Sequence, residues 1–186
     1  MEELELYMDA AKEGMESAIS HLHKELSKIR AGKASPSMLD SIKVDYYGVM
    51  TPLAQTANVT TPDAKTIFIQ PWDKSVLPLI EKAIMAANLG FNPANNGEVI
   101  RIIVPPLTEE RRIQLAKQVK ALGENAKITI RNQRRDAIEE FKKLKKDGLS
   151  EDLAKDAEAK VHKVHEDFIK QVDEIVSAKE EDIMTV

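Results

Sequence analysis

The sequence predicts an α+β protein in which an antiparallel three-helix bundle is interrupted by a small, β-rich α/β domain. Long segments at both ends of the 186-residue chain repeat apolar residues at helical spacing. In contrast, all 8 prolines lie between residues 36 and 106, where short runs of β-branched residues replace the helical period. The predicted domains are therefore residues 1–30 with 105–186 for the bundle, and 31–104 for the insert.

The first helix is predicted from about Leu4 to Ile29. The segment contains no proline, and its apolar side chains recur at steps of three, four and seven residues. Such steps place them along one face of a helix. The stripe consists of Leu4, Met8, Ala11, Met15, Ala18, Leu22 and Ile29.

The insert is predicted to be a small sheet with one helix. The helix spans about Ser75 to Asn88, with Asp73 or Ser75 as its N-cap and Gly90 just past its end. A turn is predicted at Asn95-Asn96-Gly97. The predicted strands are Ser41–Tyr47, Ala57–Thr61, Lys65–Gln70 and Glu98–Val104.

After Pro105-Pro106 the helical period returns and predicts two more helices. The run Lys127–Ile130 has strand-like composition, but the apolar stripe keeps its phase on both sides, which favours one long helix ending at Asp147-Gly148. Ser150 starts the last helix with a capping pattern. The last helix's apolar face is predicted to be Leu153, Ala157, Val161, Val164, Phe168, Val172 and Ile175. Three amphipathic helices bury their stripes against one another, which predicts the bundle.

Two short connections join the bundle and the insert. The first is Arg30, Ala31 and Gly32; the second is Val104, Pro105 and Pro106. Glycine widens the backbone choices in one connection and proline narrows them in the other. We predict a hinge at these six residues.

The charge distribution singles out one helix as a binding surface. The chain has a net charge of −4, yet residues 105–149 carry 12 basic and 7 acidic side chains. Basic residues recur there at mostly helical spacing: Lys120, Lys127, Arg131, Arg134, Arg135, Lys142 and Lys145. Such a stripe either contacts a phosphate backbone or is a solvated face that pairs with the acidic flanking helices. The residues alone leave these interpretations about equally supported.

Several other classes of function find no support in the residues. There is no cysteine, no GxxxxGK[ST], GxGxxG, GxSxG or HExxH motif, and no apolar run of membrane-spanning length. His162 and His165 are three residues apart, but no third metal ligand accompanies them. We predict a cytoplasmic protein without metal, cofactor, membrane association or enzymatic activity.

Five blocks of sequence closely resemble the bacterial ribosome recycling factor family, in matching order over essentially the whole chain. The resemblance implies an L-shaped molecule with a tRNA-like outline and a hinge between bundle and insert. It also implies a non-enzymatic factor that binds ribosomal RNA of the large subunit after termination and, with elongation factor G and GTP, splits the ribosome. The blocks are Lys28–Pro36, Val44–Gly48, Glu81–Ala86, Pro105–Arg112 and Ile130–Asp136.

The resemblance also implies which side chains contact RNA. Arg131, Arg134 and Arg135 match the family's arginine cluster, with Arg134 as the leading candidate. Lys33 stands where familiar members have arginine, which favours a point-charge contact over a bidentate one. The remaining basic positions that match the family are Arg30, Arg111 and Arg112, whereas Lys117, Lys120 and Lys127 follow from helical periodicity alone.

Two alternatives remain at this point. One is a helical scaffold protein whose basic stripe binds an acidic partner. Such a protein should self-associate, whereas a recycling factor should be a monomer. The other alternative is an enzyme with its site in the insert, for which the sequence offers no phosphate loop or nucleophile motif.

Overall fold

The computed structural model describes residues 2–185. These residues contain four α-helices and six strands. The prediction of a helix-rich protein with a small antiparallel sheet domain is confirmed. The helices are α1 (Glu2–Ser27), α2 (Leu77–Ala86), α3 (Glu109–Lys146) and α4 (Glu151–Met184). The strands are β1 (Lys43–Tyr46), β2 (Val49–Pro52), β3 (Ala57–Asp63), β4 (Thr66–Pro71), β5 (Pro93–Asn95) and β6 (Ile100–Ile103).

The chain divides into two units by its internal contacts. The bundle unit comprises the described residues up to Ala31 together with those from Glu109 onward, and the insert unit is Gly32–Thr108. The first unit contains α1, α3 and α4, and the second contains α2 and all the strands named above.

In the bundle unit, ion pairs show the relative direction of α3 and α4, and the apolar stripes of the three helices form the core. Lys127 on α3 reaches Asp173 on α4, and Lys145 near the end of α3 reaches Glu151 at the start of α4. These pairs show that α3 and α4 run antiparallel. The core contains Met15, Leu22, Val119, Ile130, Phe141, Val161 and Val172, each at most 2% exposed.

Specific capping residues end α3 and start α4. Gly148 has φ +109°, and Leu149 N–H donates to the Leu144 carbonyl at 2.9 Å, which closes α3 with a left-handed residue. The Ser150 hydroxyl then accepts a hydrogen bond from Leu153 N–H at 3.3 Å. The predicted single helix through Lys127–Ile130 is confirmed, because the buried Ile130 continues the core stripe and offsets the weaker helix propensity of this run.

The insert unit contains two antiparallel sheets and α2. Strands β1 and β2 form a hairpin, and the second sheet has the order β3-β4-β6-β5. In the second sheet β4 and β6 lie at the centre. Buried residues alternate with exposed ones along β6, and from Ile67 onward in β4 they alternate with half-buried or exposed ones. Fully buried isoleucines from these strands and from α2 form the core: Ile67, Ile69, Ile80, Ile84, Ile100 and Ile102.

Two strands and the start of α2 differ from the sequence predictions. Both missed strands, β2 and β5, are edge strands of three or four residues with a proline at one end, which removes the usual strand pattern. A turn of 3-10 helix precedes α2, because the Asp73 carboxylate accepts from Ser75 N–H at 2.9 Å and caps this turn. The helix ends two residues before the predicted Asn88, which adopts φ +48°.

Gly32 is tightly packed inside the insert unit. Its φ is +74°, and a Cβ atom built there would lie 2.8 Å from the Leu107 Cγ and 3.3 Å from the Leu107 backbone nitrogen. Gly48 has φ +85° but nothing within 4 Å of such a Cβ atom. The two positions therefore share the left-handed backbone and differ in available space.

We expect Gly32→Ala to destabilise the insert unit more than Gly48→Ala does. Both substitutions place a side chain on a left-handed backbone, which costs about 1–2 kcal/mol. Only Gly32→Ala adds a steric conflict with Leu107, and overpacking of this kind adds about 1–3 kcal/mol. Urea unfolding of the two full-length variants measures the difference, and equal losses would show that the contact with Leu107 is unimportant.

Candidate nucleic-acid interface

The basic stripe of α3 is formed by one helical face. Its members lie off the core-facing stripe that contains Val119, Ile130 and Ala137. Residues three, four and seven apart share a helix face, so Arg131, Arg134 and Arg135 form one cluster. The structure divides the stripe into side chains that pair within the bundle and side chains that do not.

The lysines at positions 127 and 145 pair with acidic side chains. Lys127 Nζ lies 2.5 Å from Asp173 Oδ1 and 3.5 Å from Glu124 Oε1, and its side chain is only 16% exposed. The hydrogen bond that Lys127 donates to the Asp173 carboxylate is the main cause that raises the pKa of Lys127. Lys145 Nζ lies 3.4 Å from Glu151 Oε1. For these two lysines the contacts favour the second interpretation, a solvated face that pairs with acidic side chains, over a contact with phosphate.

The arginine cluster has a different environment. Arg131 and Arg134 are partly buried and Arg135 is exposed. None of the three forms an ion pair with a carboxylate of residues 2–185. The cluster therefore leaves three permanent positive charges unneutralised on one short segment of α3. The exposed Lys117 and Lys120 lie on the same helix and also have no ion pair within the described residues.

The buried His165 lies on α4 beside this arginine cluster. It is 8% exposed, and its two ring nitrogens have no hydrogen-bond partner within residues 2–185. Burial is the largest cause that lowers its pKa, followed by the charge of Arg134 and then by His162 and Arg131. Glu166 acts in the opposite direction. His165 is thus held neutral near pH 7.

We expect His165 to make folding stability depend on pH. Its folded pKa is below the ordinary value of about 6.5, so the unfolded chain binds more protons in the window just below that value. The free energy of unfolding should therefore fall as the pH is lowered from 7 towards 5. Urea unfolding at both pH values should show a smaller fall for His165→Gln than for the wild-type protein, and an equal fall in both proteins would contradict this role of His165.

The other predicted RNA contacts are distributed over both units. Arg30, Arg111 and Arg112 belong to the bundle unit, and Lys33 belongs to the insert unit. Arg111 Nη1 donates to Gln114 Oε1 at 3.2 Å, and Arg112 Nη1 donates to the Met184 carbonyl at 3.4 Å. Arg30 and Lys33 are exposed.

Two histidines of α4 are neighbours of the arginine cluster that the sequence did not predict. His162 and His165 stack with ring centroids 5.9 Å apart and an interplanar angle of 19°. His165 continues the stripe of Val161 and Phe168 at helical spacing, so its burial was detectable in the sequence. The prediction that Leu153 belongs to the buried face of α4 is wrong. Leu153 is 39% exposed, and Ala154 is buried in its place.

Two other kinds of feature bear on function in the described residues: groups of metal-ligating side chains and helices that could cross a membrane. Within residues 2–185 no group of three or more metal-ligating side chains comes together. Nor does any helix among these residues have the length and apolar character to cross a membrane. The geometry thus defines an arginine-rich face on a three-helix bundle, typical of a protein that binds phosphate groups.

Comparison with known proteins identifies the family. The sequence profile of the family described as ribosome recycling factor matches residues 22–184. The chain is 57% identical over 185 residues to the ribosome-recycling factor of Flavobacterium psychrophilum, covering 100% of this chain and 99% of that one. It is 58% identical over 186 residues to that of Christiangramia forsetii, covering 100% of both.

Solved structures agree with this match. A solution structure of the ribosome recycling factor has a TM-score of 0.78 and 37% identity, covering 100% of both chains. A second structure describes the T. thermophilus factor and E. coli elongation factor G bound to the E. coli post-termination complex. Its TM-score is 0.62 at 41% identity, covering 98% of this chain and 99% of that one. The chain belongs to the ribosome recycling factor family, which confirms the resemblance found in the sequence.

Proposed function

We propose that this protein binds the post-termination ribosome in the cytoplasm and, together with elongation factor G and GTP, separates it into subunits. The single observation that carries the RNA-binding part is the unneutralised arginine cluster of α3. A related factor occupies a post-termination complex with elongation factor G, which supports the choice of partners.

In this proposal the bundle unit is the anchor on large-subunit ribosomal RNA. Arg131, Arg134 and Arg135 contact backbone phosphates, since guanidinium groups bind phosphate bidentately and no carboxylate of residues 2–185 neutralises them. Arg30, Lys33, Arg111, Arg112, Lys117 and Lys120 add further contacts. Lys127 ranks last, because a phosphate contact would have to compete with its ion pair to Asp173.

The insert unit is the part that moves in this proposal. The hinge comprises Arg30, Ala31 and Gly32 on one connection and Val104, Pro105 and Pro106 on the other. Val104 is 5% exposed and its N–H donates to the Lys65 carbonyl at 2.7 Å, so it fixes the second connection to the sheet. On this connection the backbone change is therefore expected after Val104, at Pro105 and Pro106. The factor itself breaks no covalent bond, and the energy comes from GTP.

The experiment that tests the function is subunit splitting. Post-termination ribosomes are mixed with elongation factor G and GTP, with and without the full-length protein, and light scattering follows dissociation. We expect splitting only when all three components are present. Splitting that is independent of the protein would overturn the proposal. Sedimentation of the free protein should show a monomer, whereas self-association would favour a helical scaffold that binds an acidic partner.

A further inference from the structure

His165 and Arg134 carry buried polar atoms that lack partners. Both ring nitrogens of His165 and the Nε of Arg134 are buried without a hydrogen-bond partner within residues 2–185. Buried polar atoms in native proteins are nearly always hydrogen-bonded, since leaving one unpaired costs about 1–3 kcal/mol. Two such residues on neighbouring helices therefore require an explanation.

The register of α3 and α4 places these two residues opposite each other. Lys127 on α3 faces Asp173 on α4. Arg134 follows Lys127 by seven residues on α3, and His165 precedes Asp173 by eight residues on the antiparallel α4, so both steps cover about two helical turns. Among the charged groups that act on His165, Arg134 has the largest effect, which agrees with this placement.

The two groups are chemically complementary. The Nε–H of arginine can only donate, whereas a neutral imidazole offers one ring nitrogen as an acceptor. His165 is kept in this neutral form by burial and by Arg134 and Arg131 of α3, against Glu166 of its own helix. The second side-chain torsion of histidine has a broad preference, so a rotation of the ring about this torsion is the movement that would turn an acceptor towards the donor.

We propose that His165 is a positioning residue for RNA binding: once its ring rotates about the second side-chain torsion, its unprotonated ring nitrogen accepts a hydrogen bond from Arg134 Nε–H. This bond fixes the guanidinium near its stem and leaves both terminal amino groups available for one backbone phosphate. The inference rests on the proposed function, because it assumes that Arg134 contacts RNA. His162 covers the ring on the outer side at 5.9 Å between centroids, and its own Nε2 lies 3.2 Å from Glu166 Oε1.

A double-mutant cycle tests the proposal. His165→Leu keeps an apolar body in the core but removes the acceptor, and Arg134→Lys keeps the charge but removes the Nε–H donor. Binding of each full-length variant to purified ribosomes is measured at one salt concentration. We expect His165→Leu to weaken binding about three- to tenfold in the wild-type background, which lies within the range for the net contribution of one typical hydrogen bond. In the Arg134→Lys background the same substitution should have no further effect.

The remaining variants separate positioning from packing. His165→Gln, which retains an acceptor, should bind within about twofold of wild type. His162→Leu removes the stacked ring but keeps the acceptor, so it should also bind within about twofold, and a loss as large as that of His165→Leu would contradict the hydrogen bond. Equal losses from His165→Leu in both Arg134 backgrounds, or wild-type binding by His165→Leu, would overturn the positioning role. If His165→Leu unfolds, weak binding by folded His165→Gln overturns it instead. Wild-type affinity of Arg134→Ala would contradict the RNA contact itself and so identifies failure of the proposed function.

Discussion

Replacing Arg134 by alanine is expected to weaken ribosome binding about 10- to 100-fold, because a charge-assisted contact to phosphate contributes about 1.5–3 kcal/mol. Arg134 lies partly buried at the seam between α3 and α4, and no carboxylate of residues 2–185 neutralises it. Its guanidinium is therefore available to phosphate without first breaking an intramolecular ion pair. Equilibrium binding to purified ribosomes measures the effect.

The salt dependence of binding separates a phosphate contact from a general structural effect. Losing one phosphate contact should reduce the slope of log affinity against log salt by about 1. The midpoint of thermal unfolding should stay within a few degrees of wild type, since Arg134→Ala removes no apolar side chain from the core. An unchanged slope, or a variant that no longer folds, would count against the proposed role of Arg134.

Lys143→Ala is the matched control for this substitution. It also removes one positive charge from α3, but Lys143 lies nine residues from Arg134, which places it on the opposite face of the helix. It already pairs with Glu140 at 2.6 Å. We expect less than a twofold change in affinity for this control. A loss equal to that of Arg134→Ala would mean that net charge alone determines binding.

The sequence predicted the helices well because their packing follows a regular period. The stripe through Val119, Ile130 and Phe141 fixed both the length of α3 and its buried face, even across the strand-like run at Lys127–Ile130. The central strands β4 and β6 were found for the same reason, since their buried residues alternate. The edge strands β2 and β5 were missed, because pairing with a neighbouring strand, rather than their own composition, forms them.

The candidate interface was only partly predictable. Helical spacing grouped Arg131, Arg134 and Arg135 correctly on one face, but it could not distinguish them from Lys127. The difference lies in the register between α3 and α4, which brings Asp173 to Lys127 and an imidazole to Arg134. Register between helices depends on three-dimensional packing, so charge patterning along a single helix does not contain it.

Replacing both prolines of the second connection by alanine is expected to slow subunit splitting while ribosome affinity stays near the wild-type value. Proline fixes φ near −65° and restricts the residue before it, so Pro105-Pro106 limits how this connection bends. Alanine at both positions makes the connection more flexible, and movement of the insert is then transmitted less directly. We expect a roughly threefold to tenfold slower splitting rate, because changes at hinge residues often alter the rate of a conformational step.

The control for this prediction is Pro52→Ala combined with Pro62→Ala, which removes two exposed prolines from the strands of the insert. Light scattering with elongation factor G and GTP measures splitting, and sedimentation with ribosomes measures binding. The control should split ribosomes at the wild-type rate. If the variant at 105 and 106 also does so, a stiff second connection is not required. If both variants are slow to the same degree, the insert's stability determines the rate. A working hinge requires a different result: only the variant at 105 and 106 splits ribosomes slowly, and its ribosome affinity is unchanged.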